Sequence, residues 1–173
     1  MANMIIGSDR YAVIASRIRS AGDGLIAEVG VAEGGVVENL SREFPERTIY
    51  AYDTFSGLPA EKWQEGEIHH PGEFQPGNAE ACLSRLSNVV VRKGIFPNTL
   101  GDETGFVVVH LDVDFYLSTL EALKALLPRM VHGGRIILDD WKWRGCPGVE
   151  RAVKELGLTA IPTCPMQAEI LAR

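Results

Sequence analysis

Short runs of apolar residues alternate along the chain with segments whose apolar positions lie three and four residues apart. The first pattern is typical of strands buried on both faces, and the second of helices that cover a sheet. The strands are predicted at residues 25–31, 48–55, 88–94, 106–114, 134–141, 158–163 and 168–173. The helices are predicted at residues 8–20, 34–44, 78–87, 118–130 and 148–156. This alternation predicts an α/β fold with a mostly parallel sheet.

Two helix starts carry residues that favour capping. Ser8 can cap the first helix, and Ser118 with Glu121 has the spacing of a capping box. The fourth helix is therefore predicted to begin at Ser118. Capping by Asp114 is then not needed.

One segment interrupts the alternation. Residues 56–77 are polar, rich in Gly and Pro, and long for a connection. Loops of this length are usually functional or disordered, and this one leaves the carboxyl end of the second strand, where α/β sheets bind ligands. We interpret it as a lid, with Trp63 and Phe74 as its apolar contacts. His69 and His70 lie in it, either as solvated loop residues or as groups carried to the site.

The composition places these elements in one globular unit. The chain has 173 residues, of which 46% are hydrophobic and 23% charged, as is typical of soluble domains. We predict a single domain over residues 1–173, with an N-terminal helical part at 1–24 and the lid as an insert at 56–77.

Net charge and cysteine content limit the classes of partner and the cellular compartment that the sequence predicts. A net charge of −6 argues against nucleic acid or an anionic membrane as partner. No apolar run approaches a membrane helix, and the first residues lack the pattern of a signal peptide. Three widely spaced cysteines without a CxxC motif favour a reduced, cytoplasmic compartment and predict no zinc site.

The stretch EVGVAEGG joins the first strand to the second helix. Gly30 ends the strand, and Gly34 and Gly35 open the helix, so a ligand can approach the backbone there. The spacing departs from the dinucleotide-binding fingerprint, and an ordinary tight turn is the alternative. Asp53 ends the second strand, where an acid can accept hydrogen bonds from ribose hydroxyls. The two features together favour a nucleoside ligand over a turn-forming role for Asp53.

Carboxylates also follow the fourth and fifth strands. Asp112 ends one, and Asp139 and Asp140 end the other. If these strands are neighbours, the acids gather at one edge, and a hard cation such as Mg²⁺ would offset their repulsion. A solvated loop edge is the alternative. His110 is either a second-sphere residue or a core histidine, and Trp141 and Trp143 are either pocket walls or core.

These motifs resemble the class I S-adenosylmethionine-dependent methyltransferases, and more closely the macrocin O-methyltransferase family, which methylates sugar hydroxyls of natural products. The stretches that carry the resemblance are EVGVAEGGVVENL, YAYDTFSGLP, HHPGEF, RKGIFPNTL, HLDVDFYLSTLEALKALLPRMVHGGRIILDDW and GVERAVKEL. The chain differs from its relatives in being short at the N-terminus, where they carry more helical structure over the substrate.

The resemblance implies a seven-stranded sheet of order 3-2-1-4-5-7-6 with the last strand antiparallel. It also implies that the cofactor is S-adenosylmethionine (SAM) and that Asp112, Asp139 and Asp140 are metal ligands. The implied cofactor-binding residues are Glu28, Gly30 and Gly34 near the methionine part, Asp53 and Thr54 near the ribose, and Gly94, Ile95 and Phe96 near the adenine.

The function predicted on this basis is Mg²⁺-dependent O-methylation of a small-molecule acceptor, through a sugar hydroxyl or a vicinal diol. Asp112 is the predicted base as well as a metal ligand, with His69 or His70 as the competing base. A nicotinamide-dependent oxidoreductase and a non-catalytic SAM-binding subunit are the alternatives. Assembly into a homo-oligomer is left open.

Overall fold

The sheet and its helices are described by a computed structural model over residues 8–173. The strands are β1 (Leu25–Val29), β2 (Ile49–Asp53), β3 (Val89–Lys93), β4 (Phe106–Leu111), β5 (Met130–Asp139), β6 (Ile161–Cys164) and β7 (Gln167–Leu171). They form one sheet of order β3-β2-β1-β4-β5-β7-β6. β7 is antiparallel to both β5 and β6, and the remaining pairs are parallel. The predicted fold class and strand order are confirmed.

Helices cover both faces of this sheet. They are α1 (Ser8–Ser20), α2 (Gly35–Glu43), α3 (Ala79–Leu83), α4 (Tyr116–Leu126) and α5 (Pro147–Glu155), with short 3₁₀ turns at Ala60–Lys62 and Leu127–Arg129. Within residues 8–173, no helix combines the length and the hydropathy needed to cross a membrane. The side chain of Ser8, on which the predicted cap depends, and the first seven residues, on which the signal-peptide prediction rests, lie outside the described residues.

The core consists of two layers because successive strand residues point to opposite faces. Every residue of β4 is buried. On one face, Val108 packs in a cluster with Ile14 of α1 and Leu40 of α2. On the other face, Val109 packs in a cluster with Leu123 of α4 and residues of α5. This arrangement leaves the carboxyl ends of β1, β2, β4 and β5 open, at one end of the sheet.

Several predicted boundaries are wrong. β4 ends at Leu111 rather than at residue 114, and β5 begins at Met130 rather than at residue 134. α3 is also shorter than predicted. The predicted capping box does not form, because α4 begins at Tyr116 and Ser118 is buried inside its first turn. The backbone N–H of Tyr116 instead donates to the Glu67 carboxylate, 2.8 Å away.

Candidate active site

An open cleft of about 350 Å³ lies at the carboxyl ends of β1, β2, β4 and β5. Its size is within the usual range for small-molecule sites. Residues from the lid, among them Leu58 and Phe74, line one side. Trp143 lines it from the β5–α5 connection. The cleft therefore has walls from both the sheet and the predicted lid.

Gly30 holds the floor of this cleft together. Its φ is 86°, and a Cβ placed on it would lie 1.6 Å from the backbone oxygen of Asp112. Its N–H donates to the backbone oxygen of Tyr52 at 2.9 Å. A residue with a side chain cannot fit this close approach. Gly34 also has a φ of 86°, at the N-cap of α2, but it is not among the lining residues described for the cleft.

Asp53 is held by the backbone of the glycine turn. One carboxylate oxygen accepts from the N–H groups of Val31 at 2.7 Å and Ala32 at 3.1 Å. The other accepts from the N–H of Phe55 at 2.6 Å. These bonds fix the carboxylate at the cleft wall next to Thr54. The Thr54 hydroxyl also donates to this second oxygen, at 3.4 Å, so all four lone pairs of the carboxylate are used. A ligand hydroxyl at Asp53 would replace this long contact.

The turn after β3 forms the next section of the wall. The N–H of Gly94 donates to the backbone oxygen of Asp53 at 2.8 Å, so this turn is tied directly to the end of β2. Ile95 and Phe96 line the cleft beside it. The Phe96 ring stands edge-on to that of Tyr52, with centroids 5.0 Å apart. Ile95 and Phe96 therefore make this section of the wall apolar.

Carboxylates gather on the opposite side of the cleft, and the predicted ligands Asp112, Asp139 and Asp140 are among them. Oxygens of Asp112, Asp114 and Asp140 lie within 4.8 Å of one another. Asp139 instead receives both its hydrogen bonds from Nη1 of Arg10, at 2.8 Å each. The Arg10 guanidinium from α1 therefore neutralises the charge of Asp139. Asp114 is the third carboxylate of the group formed with Asp112 and Asp140.

Burial and mutual repulsion change the acidity of this group. Burial, reinforced by the charges of Asp139 and Asp114, raises the pKa of Asp140 to about 6. Burial, followed by the charges of its acidic neighbours, raises the pKa of Asp112 well above its ordinary value. Burial also raises the pKa of Asp114. Like charges held this close favour protonation or a bound cation.

Glu28 and His110 form a buried pair beneath the acids. Nδ1 of His110 lies 3.2 Å from Oε1 of Glu28, and both side chains are nearly inaccessible. Burial raises the pKa of Glu28. The Glu28 carboxylate raises the pKa of His110 against the effect of burial. His110 also lies within 4.8 Å of the oxygens of Asp112 and Asp139, so it joins the core to the acid edge.

The two lid histidines have different surroundings. His69 stacks near Trp143, with centroids 5.7 Å apart, and its Nδ1 lies 2.7 Å from a Glu73 oxygen. His70 is exposed, and its ring lies 6.4 Å from that of Trp63. The structure therefore brings only His69 close to the acids.

Comparison with known proteins shows the family of this chain. Residues 1–160 match the family described as Macrocin-O-methyltransferase (TylF). The chain belongs to the macrocin O-methyltransferase family.

Two relatives come from Streptomyces. A protein of Streptomyces olivaceus named 8-demethyl-8-(2,3-dimethoxy-alpha-L-rhamnosyl)-tetracenomycin-C 4'-O-methyltransferase is 36% identical, over 80% of this chain and 64% of that protein. The demethyldecarbamoylnovobiocin O-methyltransferase of Streptomyces niveus is 28% identical, over 76% and 57% respectively. The chain thus spans about three fifths of the length of these relatives.

A solved structure shares the fold. The O-methyltransferase NovP superimposes with a TM-score of 0.79 at 24% identity, covering 99% of this chain and 82% of that one. Its fold is thus shared over nearly the whole of this member of the macrocin O-methyltransferase family.

Sequence reasoning about this family member missed two residues of the cleft. Arg10 gave no local signal, because its partner Asp139 is 129 positions away. Asp114 stands in the pattern Asp-x-Asp after β4, but it was not among the predicted metal ligands. The uncertainty over the tryptophans is resolved: Trp143 lines the cleft and Trp141 is in the core.

Proposed function

We propose that this protein is an Mg²⁺-dependent O-methyltransferase that moves a methyl group from SAM to a hydroxyl of a small molecule. The observation that carries the proposal is that Asp53 and the carboxylates of Asp112, Asp114 and Asp140 line one cleft. The first is suited to a nucleoside and the others to a cation. Family membership favours this reading over a nicotinamide-dependent enzyme.

The cofactor side of the cleft fits SAM. Gly30 keeps the backbone open to the methionine part, and Glu28 lies behind it. Asp53, already positioned by backbone N–H groups, can accept from the ribose hydroxyls. The apolar section of the wall at Ile95 and Phe96 would contact the adenine. SAM, when bound, supplies an electrophilic methyl group.

The acid side fits Mg²⁺ by the chemistry of its donors. Mg²⁺ prefers oxygen ligands, and carboxylates of Asp112, Asp114 and Asp140 are within 4.8 Å of one another. Asp139 accepts from Arg10 but also lies within 4.8 Å of an Asp112 oxygen, so it remains a proposed ligand. A bound Mg²⁺ would lower the pKa of an acceptor hydroxyl and fix its position.

The remaining task is to accept the hydroxyl proton. Asp112 keeps its proposed double role as ligand and base. Asp114 is an alternative base with a raised pKa in the same cluster, and His69 is a third candidate. The lid residues Leu58 and Phe74 would exclude water from the cleft during transfer.

The acceptor class follows from the family and from the walls. Both curated relatives bear names of natural-product O-methyltransferases. The half-exposed rings of Phe74 and Trp143 flank the cleft. Such rings can pack on the apolar face of a sugar or an aglycone. We propose a glycosylated natural product, methylated on a sugar hydroxyl or vicinal diol.

The test combines binding with turnover. Calorimetry should show binding of S-adenosylhomocysteine (SAH) and none of NAD. Labelled SAM and a panel of glycosides, sugar nucleotides and catechols should then show methyl transfer with Mg²⁺ but not with EDTA. Binding of NAD in place of SAH would overturn the proposal. Full turnover in EDTA would remove its metal part.

A further inference from the structure

A second group of metal-binding side chains lies beside the three carboxylates, and its donors are different. A ring nitrogen of His69, a carboxylate oxygen of Asp114 and the sulfur of Cys146 lie within 4.8 Å of one another. We propose that this group is a zinc site, separate in donor chemistry from the oxygen cluster, and that zinc bound there fastens the lid to the edge of the sheet.

His69 is oriented as a zinc ligand would be. Its Nδ1 lies 2.7 Å from Oε2 of Glu73. Its Nε2 is buried and has no hydrogen-bond partner within the described residues. Histidine ligands commonly donate one ring N–H to a carboxylate, which leaves the other nitrogen aimed at the metal. Two backbone hydrogen bonds of the lid hold this geometry. The Leu58 N–H donates to the backbone oxygen of Glu73 at 2.9 Å, and the Gly72 N–H donates to the backbone oxygen of Leu58 at 2.8 Å.

Cys146 supplies the donor that distinguishes this site from the oxygen cluster. It is 2% exposed, at the N-cap of α5. Its thiol donates to Asp114 at 3.2 Å and to Asp140 at 3.4 Å. Sulfur and imidazole nitrogen suit Zn²⁺ and are not ligands that Mg²⁺ selects. Three protein ligands leave the fourth tetrahedral position for water.

The three ligands come from three separate segments. His69 lies in the lid, Asp114 between β4 and α4, and Cys146 between β5 and α5. An ion that joins them would hold the lid against the sheet and would engage Asp114, which the oxygen cluster shares. The expectation of no zinc site rested on the spacing of cysteines, whereas this site uses only one of them.

Cobalt reports such a site without any assay of activity. Protein freed of metal by EDTA and kept in a phosphine reductant is titrated with Co²⁺ in a large excess of Mg²⁺. We expect one Co²⁺ per chain with a sulfur-to-cobalt charge-transfer band, displaced by Zn²⁺. Cys146→Ser should abolish the band. Glu73→Gln should weaken binding by about 10–100-fold, as expected when a carboxylate that orients a histidine ligand is changed.

The controls separate the site from other thiols and from loss of structure. Cys164→Ser, at a half-buried thiol that is not a member of this group, should keep the full band. His69→Gln lies on the lid, so its weakened binding is measurable even if Cys146→Ser proves unstable by circular dichroism. A band that persists in Cys146→Ser, or equal Co²⁺ affinity in His69→Gln and the unchanged protein, would overturn the site.

A consequence for turnover rests on the proposed function. Zn²⁺ should inhibit methyl transfer in the presence of saturating Mg²⁺, and inhibition should be at least about tenfold weaker in Glu73→Gln. A charge-transfer band without methyl transfer to any acceptor would leave the zinc site standing and defeat the proposed function. Methyl transfer by a protein that gives no charge-transfer band would leave the proposed function standing and defeat the zinc site.

Discussion

At the scale of single residues, Asp53 links the glycine turn to the proposed nucleoside site. Asp53→Ala removes a charged acceptor, so we expect SAH affinity to fall by about 1.5–3 kcal/mol. Calorimetry measures this loss. Asp53→Asn is the matched control, because its side-chain oxygen can still accept from the Val31 N–H, and it should lose less. Equal affinity in Asp53→Ala and the unchanged protein would exclude the ribose assignment.

Arg10 is the residue whose removal most directly tests the charge balance of the cleft. Arg10→Met keeps the length of the side chain but leaves Asp139 as an uncompensated, 4%-exposed carboxylate. We expect metal-free protein at neutral pH to lose about 1–3 kcal/mol of unfolding free energy. Mg²⁺ should bind more tightly, since a nearby positive charge is gone.

Thermal unfolding with and without Mg²⁺ measures both effects of Arg10→Met. Arg42→Met, at an exposed ion pair within α2, serves as control and should change stability little. Weaker Mg²⁺ binding in Arg10→Met would contradict the interpretation of Arg10 as a competing cation.

Residue identities predicted the lining of the proposed cofactor side more closely than the arrangement of the acids. Asp53 and the turn near Gly94 lie where predicted because each follows directly from where a strand ends. The arrangement of the acids depended on the fold. Arg10 of α1 binds one of the three predicted ligands, and the left-handed φ of 56° at Asp114 places its side chain in the cluster. The Arg10 contact has no local sequence signal, whereas Asp114 stood in a visible Asp-x-Asp pattern whose geometry the sequence did not give.

At the scale of elements, the loops after β4 and β5 hold the carboxylates together. The free energy of unfolding should therefore depend on pH. The pKa of Asp140 is raised from its ordinary 3.8 to about 6, so the folded state binds more protons than the unfolded state between these values. Unfolding free energy of metal-free protein should therefore fall as pH rises from about 4 to 6, by about 1–3 kcal/mol.

Chemical denaturation at several pH values in EDTA tests this dependence. Asp140→Asn, similar in size but uncharged, should flatten the profile over that window. Saturating Mg²⁺ should restore stability at pH 7. An identical profile in Asp140→Asn would show that other groups control it.

The lid and α4 are joined by contacts that no local pattern encodes. Glu67 accepts from the first N–H of α4, and Lys62 pairs with Glu121 further along that helix. Glu67→Gln retains an acceptor but loses its charge, whereas Glu67→Ala removes both. We expect Glu67→Ala to cost about 0.5–2 kcal/mol, as for other N-cap losses, and Glu67→Gln to cost less.

Amide exchange locates the effect of Glu67→Ala. Exchange should accelerate in the lid and in the first turn of α4 together, while the last turn remains protected. Faster exchange in the lid alone would mean that Glu67 does not cap the helix. The sequence-based boundary at Ser118 was wrong for this same reason, because the cap comes from residue 67, across the fold.

At the scale of the whole molecule, Gly30 joins the proposed cofactor side of the cleft to the acid side. Gly30→Ala would place a carbon 1.6 Å from the Asp112 oxygen at a positive φ, so β1 and β4 must separate. We expect a loss of more than about 3 kcal/mol, or failure to fold. Gly22→Ala is the control, because a Cβ there meets nothing within 4 Å. Similar denaturation midpoints for the two variants would contradict this.

The strand order was predictable over the whole chain because it followed from a family resemblance supported by several motifs. Strand ends were less so. β5 starts four residues early, since Met130 pairs with Phe106 across an irregular register, and residues 130–134 lack the apolar run by which strands are recognised. Sheet pairing, which supplies hydrogen-bond partners regardless of side chain, decides such segments.

The position of β7 between β5 and β6 has a consequence for folding during synthesis on the ribosome. The edge of β5 that β7 covers has no other strand beside it. At usual rates of translation, the residues from Asp140 to Leu171 take about 2–6 s to synthesise. During that interval β5 presents unpaired N–H and C=O groups, a template for wrong pairing between nascent chains. Once β7 has been synthesised, it covers this side of β5 and removes the template.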